Sequence, residues 1–427
     1  MTEEAFAWMT AEYQNLVSAV VVAIERREYW PANEIAAVLS AYCYEIRDDT
    51  NWSVLCEIRH RAAHESGEDV LIANANLSHA LYRFSQADFV QTKELTEIAL
   101  DLGVRMGDPR VQSSAHRILA GVTREAGDTA ASMHHLNQAL AIDEQDDEPE
   151  GQALVLLAIA VLSFNVPDLL ATEQSLLRAL ELTGSPGVRG HLHASLNGVY
   201  TELGRFAEVI AHQNAYVALQ EELGNPRPLT VGTVAAARAK LALREVDEAF
   251  DLIIDVLDEV RLRSSFEEEL DAWHALADLF DDCDAQEDAL AAAHLQLKIT
   301  DRETMIDYRI VAHWSAARAY RKLGDYELAA HHLNEMRALL DSDHLLNAGS
   351  EVKERALLHL ALGEREEALR CAEESVAVHR RYHQRHLEGQ SLYTLAAVRR
   401  AMGDHEGAAA AEVLAADAYR DCGVPMP

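Results

Sequence analysis

The chain is predicted to be an all-α solenoid of helix-turn-helix repeats of about 40 residues. Three observations predict it: a turn that recurs at near-constant spacing, helical periodicity on both sides of each turn, and the absence of any alternating Val/Ile/Thr run that reads as a strand. The unit is plainest at Ala317 to Leu333. Ala317, Tyr320 and Leu323 sit at helical spacing on a first helix, Gly324-Asp325 interrupts it, and Tyr326, Ala329 and Leu333 resume a second. A residue tolerant of positive φ lets the first helix end, and Asp325 is placed to accept the open N–H groups of the next. Equivalent anchors are Ala87, Gly127, Pro167, Gly204, Arg244, Asp284, Gly324, Gly363 and Gly403, and successive differences are 40, 40, 37, 40, 40, 40, 39 and 40. So regular a period makes the chain an array in which each hairpin packs mainly on its neighbours.

Taken in order, residues 4 to 27 are expected as a first helix with Phe6, Leu16, Val20 and Ile24 along one stripe. Trp30-Pro31 opens a second, because proline is tolerated in a first turn, and Arg47 to Ser66 forms a third with Trp52 and Cys56 on one face. These fall off the later pattern. Residues 1–69 are therefore expected to be an N-terminal helical cap and divergent repeat, and 70–427 tandem repeats forming one continuous superhelix. Within the array, two helices of about eighteen residues, each about 27 Å long, fill one period. The second helices share a small-then-branched pair: Ala99-Leu100, Ala139-Leu140, Ala179-Leu180 and, more loosely, Tyr216-Val217 and Ser375-Val376. The small residue admits a neighbouring helix and the branched one fills the groove beside it, so the pair is structural. Breaks after second helices recur at Met106-Gly107-Asp108-Pro109, Thr183-Gly184-Ser185-Pro186 and Leu223-Gly224-Asn225-Pro226. Asp143 to Glu150, DEQDDEPE, reads as a solvated loop and lacks the spacing of a calcium loop.

Composition narrows the function. A formal charge of −34 repels a phosphate backbone, which argues against direct nucleic-acid binding. No run of about eighteen apolar residues occurs, so no membrane span is expected. The apolar stretch Leu16 to Ile24 is short and has neither a basic leader nor a cleavage site, and so does not read as a signal peptide. Five scattered cysteines, an odd number, suit a reducing cytoplasm better than a disulfide framework. The 20 histidines invite a metal reading, with His60/His64 and His379/His383 four apart. Neither pair carries the Glu of HExxH or a completing ligand, so both read as solvated helix faces; His134-His135 and His331-His332 diverge by roughly 100° on a helix. There is no GxSxG and no GxxxxGK[ST]. No catalytic residue, metal or cofactor is expected, and the chain reads as non-enzymatic.

The hairpin resembles a tetratricopeptide repeat of long period. Leu196, Tyr200, Gly204 and Phe206 match that pattern in one unit, and Tyr320, Gly324, Asp325, Tyr326 and Ala329 in another; Pro167, Arg244 and Asp284 depart from its turn residue. Phe6-Ala7-Trp8, Glu12, Asn15-Leu16 and the following Ala/Val-rich helix resemble the segment after the nucleotide-binding domain in actinobacterial STAND-type signal-transduction ATPases related to antibiotic regulatory proteins. The resemblance implies a right-handed superhelix and a sensor role, either as the sensor half of a larger protein or as a freestanding relative. It also implies a ligand on the first helix of each hairpin, about thirteen, ten, nine, six and three residues before the anchor. Counting back gives Asn74, Ser78 and Leu81; Arg117, Gly121 and Arg124; His191, Ser195 and Gly198; Val234 and Arg238; His274 and Asp278; Trp314, Arg318 and Arg321; Tyr393 and Arg400. From these, Arg117, Arg124, His191, Arg238, His274, Trp314, Arg318, Arg321, Tyr393 and Arg400 are the ligand-binding candidates.

Six arginines on one wall of an acidic protein, among small residues that leave room, suit a protein or peptide partner with carboxylates. The competing account is that each arginine pairs with an acid on the adjacent helix and that Trp314 packs. The basic run His379 to His386 sits where cations complement a helix dipole. The expected function is a regulatory or sensor module binding protein or peptide in a concave groove. The alternatives are a freestanding scaffold and an enzyme hosted on the array, and a homodimer through the terminal helices is open.

Overall fold

In a computed structural model, residues 3–45, 48–163, 168–222, 230–263, 266–300, 306–340 and 345–426 are described. They form α-helices throughout, with no strand among the described residues. The first ten are α1 (Glu3–Glu25), α2 (Tyr29–Glu45), α3 (Asp49–Ser66), α4 (Asp69–Ser85), α5 (Phe89–Met106), α6 (Pro109–Glu125), α7 (Thr129–Gln145), α8 (Pro149–Ser163), α9 (Leu169–Leu182) and α10 (Pro186–Leu203). Next come α11 (Phe206–Glu222), α12 (Thr230–Ala242), α13 (Val246–Arg263), α14 (Phe266–Asp282), α15 (Gln286–Ile299) and α16 (Ile306–Leu323). The last are α17 (Tyr326–Leu339), α18 (Leu345–Leu362), α19 (Arg365–Arg381), α20 (Arg385–Met402) and α21 (His405–Asp421). The first and third helices, and the start of the second, fall within two residues of expectation.

The repeat is a backbone event before it is a packing event. Ala87, Gly127, Gly204, Arg244, Asp284, Gly324, Gly363 and Gly403 all have positive φ, between 56° and 85°. Pro167 and the Leu223–Pro226 break lie outside the described residues. In each of these eight turns the residue after the anchor returns its N–H to the carbonyl five positions back, as in Asp325 to Tyr320 (2.9 Å) and Glu245 to Lys240 (2.9 Å). That bond closes the C-terminus of the first helix. Arg244 and Asp284 therefore perform the turn that glycine performs elsewhere. Asp325 then caps α17, its carboxylate accepting from the Leu328 N–H at 3.1 Å, and Asp88, Asp128 and Asp404 do the same for their helices. Arg27 and Gly67 are also left-handed and lie 40 apart (67 − 27), so α1 to α3 keep the same beat, which their side-chain pattern did not reveal.

Ala87 carries a Cβ into a conformation that costs an L-residue about 1–2 kcal/mol. After the greater unfolded-state freedom of glycine is subtracted, Ala87→Gly is expected to stabilise the fold by about 0.5–1 kcal/mol. Urea unfolding followed by circular dichroism checks it, and a loss of stability would count against a strained turn.

Helix packing follows the small residues. Ala99, Ala139 and Ala179 are fully buried, as are Tyr216 and Ser375, so the recurrent pair of the second helices is a packing feature. Cα packing divides the chain into two compact units. One comprises Met1–Leu162, Ser175–Arg189 and Glu221–Asn225, and the other Ser163–Gln174, Gly190–Gln220 and Pro226–Pro427. In the first, the odd-to-even order puts α2 beside α4 and α4 beside α6. In the second, α12, α14, α16, α18 and α20 pack in sequence as a wall of first helices. The second unit also contains a long-range closure: Gln384 donates to Glu202 Oε2 at 2.8 Å, and the Phe206 ring meets His386 edge-on with centroids 5.1 Å apart. Gly204 makes this possible twice over, because its φ is +75° and a Cβ there would lie 2.8 Å from Cys422 Sγ and 3.0 Å from the His386 nitrogen.

Candidate functional site

The wall of first helices in the second unit brings together five of the ten candidate residues. Asp278 on α14 is the hub. Arg318 on α16 donates to its Oδ1 at 2.7 Å, while Arg238 on α12 and His274 one turn earlier on α14 each approach Oδ2 at 3.7 Å. The Arg318 guanidinium also reaches Asp281 at 3.3 Å, and Lys322 meets the same carboxylate at 2.8 Å. Arg321 pairs with Glu354 of α18 at 3.0 Å. The Arg318 guanidinium lies over the Trp314 ring, 4.6 Å from its centroid, a cation–π contact that holds the indole on the wall.

Lys353, on α18, was missed by the sequence analysis. It sits ten residues before Gly363, the same place that Trp314 and His274 occupy before their anchors, so the count was available but was not applied to that hairpin. Lys353 is buried, donates to Gln390 Oε1 at 2.7 Å, lies 5.9 Å from the Trp314 ring, and has no ion pair among the described residues. Burial lowers its pKa, with Arg318 and Arg321 adding to the effect and Glu354 opposing it. The Trp314 Nε1–H is buried without an acceptor. The cluster counts five cations (Arg238, Arg318, Arg321, Lys322, Lys353) against four carboxylates (Asp278, Asp281, Asp284, Glu354), and Lys353 is the cation without an ion pair among the described residues. Burial pushes the His274 imidazole down to about 4, so it adds no charge at neutral pH.

The other candidates are not in this network. Tyr393 is 39% exposed on α20, one turn beyond Gln390, and His191 is exposed on α10. Arg400 pairs with Glu412 of the second helix of its own hairpin. In the first unit, Arg124 pairs with its neighbour Glu125 at 2.8 Å, and Arg117 is largely buried, donating to Ser114 at 3.1 Å with its Nε unpaired. Pairing with an acid of the adjacent first helix thus accounts for Arg238, Arg318 and Arg321.

Two expectations about local environment are corrected. Asp143 is no part of a solvated loop: it lies in the last turn of α7, is 4% exposed, accepts from Ser113 at 2.8 Å, and burial raises its pKa. His379 does not lie on a solvated face either. It is fully buried, bonded to Gln384 at 2.8 Å, with its ring filling the space beside Gly349. The adjacent histidines part as expected, but one of each pair finds an imidazole on the facing helix. His116–His135, His193–His212 and His313–His332 each bring Nδ1 atoms within 2.8–3.1 Å. All three pairs are 19 residues apart, eleven before and eight after an anchor, a recurrence visible in the sequence once the hairpin is aligned. Among the described residues no group of three metal-ligating side chains forms a site. No described helix is long and apolar enough to cross a membrane.

No family profile matches the chain. No curated protein matches it by sequence. Solved structures do: a Rap protein complexed with competence and sporulation factor aligns with a TM-score of 0.66 at 12% identity, covering 82% of this chain and 98% of that one. The chain has a tetratricopeptide repeat fold. NprR in complex with its cognate peptide NprX aligns at 0.49 and 15% identity over 68% of this chain and 90% of that one. A STAND protein with a tetratricopeptide repeat sensor, from Pyrococcus horikoshii, aligns at 0.47 and 14% identity, covering 82% of this chain and 52% of that one.

Proposed function

We propose that this chain is a non-enzymatic regulatory or sensor module that binds a peptide along the α12–α20 wall and holds one of its carboxylates, terminal or side-chain, at Lys353 and Trp314. One observation carries the reading: a buried ammonium without an ion pair and a buried indole N–H, on neighbouring helices, have donors left over and no further acceptor among the described residues. An ammonium offers three donors and here uses one. Buried donors are costly when unmet, so a carboxylate entering this site replaces a deficit with charge-assisted hydrogen bonds. Because Trp314 stands on α16 and Lys353 on α18, with Gln390 of α20 already holding the ammonium, a bound carboxylate ties neighbouring first helices together, and binding favours one arrangement of the wall over others. The Rap protein of the same fold, complexed with a factor of its own, supports a binding role for such an array. The charge of −34 supports a protein or peptide partner over nucleic acid.

The test is an array of fluorescein-labelled pentapeptides, each in free-acid and amidated form, read by anisotropy. Peptides that bind are expected to prefer the free acid or an acidic side chain, and to lose at least about tenfold in affinity with Lys353→Met while the helical circular dichroism spectrum is unchanged. Equal binding by wild type and Lys353→Met, or indifference to the carboxylate, would overturn the proposal.

A further inference from the structure

The first unit holds a cavity of about 670 Å³ lined from α2 to α6, unrelated to the carboxylate site. Its walls are aromatic and small: Tyr44 and Trp52 meet edge-on at 5.4 Å, and Phe84 and Phe89 at 5.5 Å. Phe84 lies against the cavity because α6 has a glycine opposite, where a Cβ on Gly121 would come within 3.1 Å of the ring. Leu81, half exposed, stands at the mouth. The volume falls in the range of pockets that enclose a small organic ligand.

Its polar lining is Ser40, Ser78, Ser85 and Glu125, the last already paired with Arg124 at 2.8 Å, and Ser78 is the one backed by a buried cation. Ser78 faces the cavity and accepts a hydrogen bond from Nη1 of Arg59, a guanidinium only 7% exposed. Arg59 also donates from Nε to Asn33 Oδ1 at 2.6 Å, and it has no ion pair among the described residues. A hydroxyl that accepts from a buried cation keeps its own proton to donate, and the cation strengthens it as a donor. No acceptor for that proton is supplied by the described residues. The positive charge behind Ser78 favours an acceptor and disfavours a ligand cation at the same spot.

We infer that this cavity is a second binding site, for a small molecule with a flat apolar body and one carbonyl or carboxylate group, the body among Trp52, Phe84 and Phe89 and the acceptor on the Ser78 hydroxyl. Occupancy here depends on nothing at Lys353. The two sites are therefore separable by mutation.

Isothermal titration with 2-naphthoate, and with 2-naphthylmethylammonium as its cationic counterpart, tests it on the full chain. Wild type is expected to bind naphthoate saturably and at least about tenfold more tightly than the ammonium. Leu81→Trp, at an exposed position, is expected to fill the mouth and abolish binding of both with the thermal midpoint unchanged. Ser78→Ala is expected to remove the preference for naphthoate, and Lys353→Met to leave it intact. No saturable binding, a preference for the ammonium, retention of binding in Leu81→Trp, or loss in Lys353→Met in its place would each overturn the assignment. Loss of peptide binding in Lys353→Met with naphthoate binding intact would leave both sites standing, the reverse pattern would overturn both, and wild type that binds peptide but not naphthoate would reject this site alone.

Discussion

Asp278→Ala is expected to destabilise the second unit by about 3–5 kcal/mol, the cost of stripping a buried cation of its partner. The Asp278 side chain is 14% exposed and stands between Arg318, Arg238 and His274. Burial pushes its carboxyl up, but His274, Arg318 and Arg238 together hold it well below the usual carboxylate range. Removing it leaves Arg318 with the 3.3 Å contact to Asp281, which Lys322 already shares. Urea unfolding of the single variant and of Asp278→Leu with Arg318→Met separates the causes. The double variant is expected to recover most of the loss, because apolar groups of similar volume replace a buried pair at little net cost. A change below about 1 kcal/mol in Asp278→Ala would mean the network is solvated and the hub unimportant. Because Arg238 and Arg318 both pair with Asp278, changing either disturbs the fold, and Lys353 is the residue to change in a test of binding.

Acid is expected to unfold the protein well above the pH at which its carboxylates fail. Burial pushes His274, His313, His332 and His379 each down to about 4. Neighbouring charge adds to this: Arg309 and His331 for His313; His313, His331 and His294 for His332; Arg238 and Arg318 for His274, opposed by Asp278; and Lys353 for His379, opposed by the Gln384 bond. An unfolded histidine protonates near 6.5, so between that pH and about 4 the unfolded chain carries the extra protons. Stability conferred by each neutral imidazole is complete above about 6.5 and is lost as pH falls toward 4. At pH 5 the loss is on the order of 1–2 kcal/mol for a ring as buried as His379 and smaller for His313 and His332, which solvent screens in part. The His313–His332 contact sharpens the effect, because a 2.9 Å bond between ring nitrogens needs one donor and one acceptor and cannot survive double protonation. Thermal unfolding at steps from pH 7.5 to 4.5 is expected to show a midpoint that drops steeply below 6.5, and less steeply in His313→Phe with His332→Leu. A flat profile would place these rings in water.

The turns, the helix bounds and the beat of the array were legible in the sequence, because a left-handed residue followed by a cap acts over five or six neighbours and leaves its mark on each copy. Even Arg244 and Asp284, which break the glycine pattern, fall into the same conformation, since the backbone bond across the turn decides it. Counting back from the turn also locates the first-helix rows, and Arg238, His274, Asp278, Trp314 and Arg318, which touch in the fold, all lie on them. What the rows could not tell was which cation is satisfied. Arg318 and Asp278 are 40 residues apart, and Gln384 and Glu202 are 182 apart, so the answer depends on which side chain the next helix presents. The tertiary structure alone decided that five of the six candidate arginines belong to ion pairs, that Lys353 has none among the described residues, and that Ser78 stands before a buried guanidinium. Electrostatic compensation is a property of neighbours in space, whereas a helix turn is a property of neighbours in the chain.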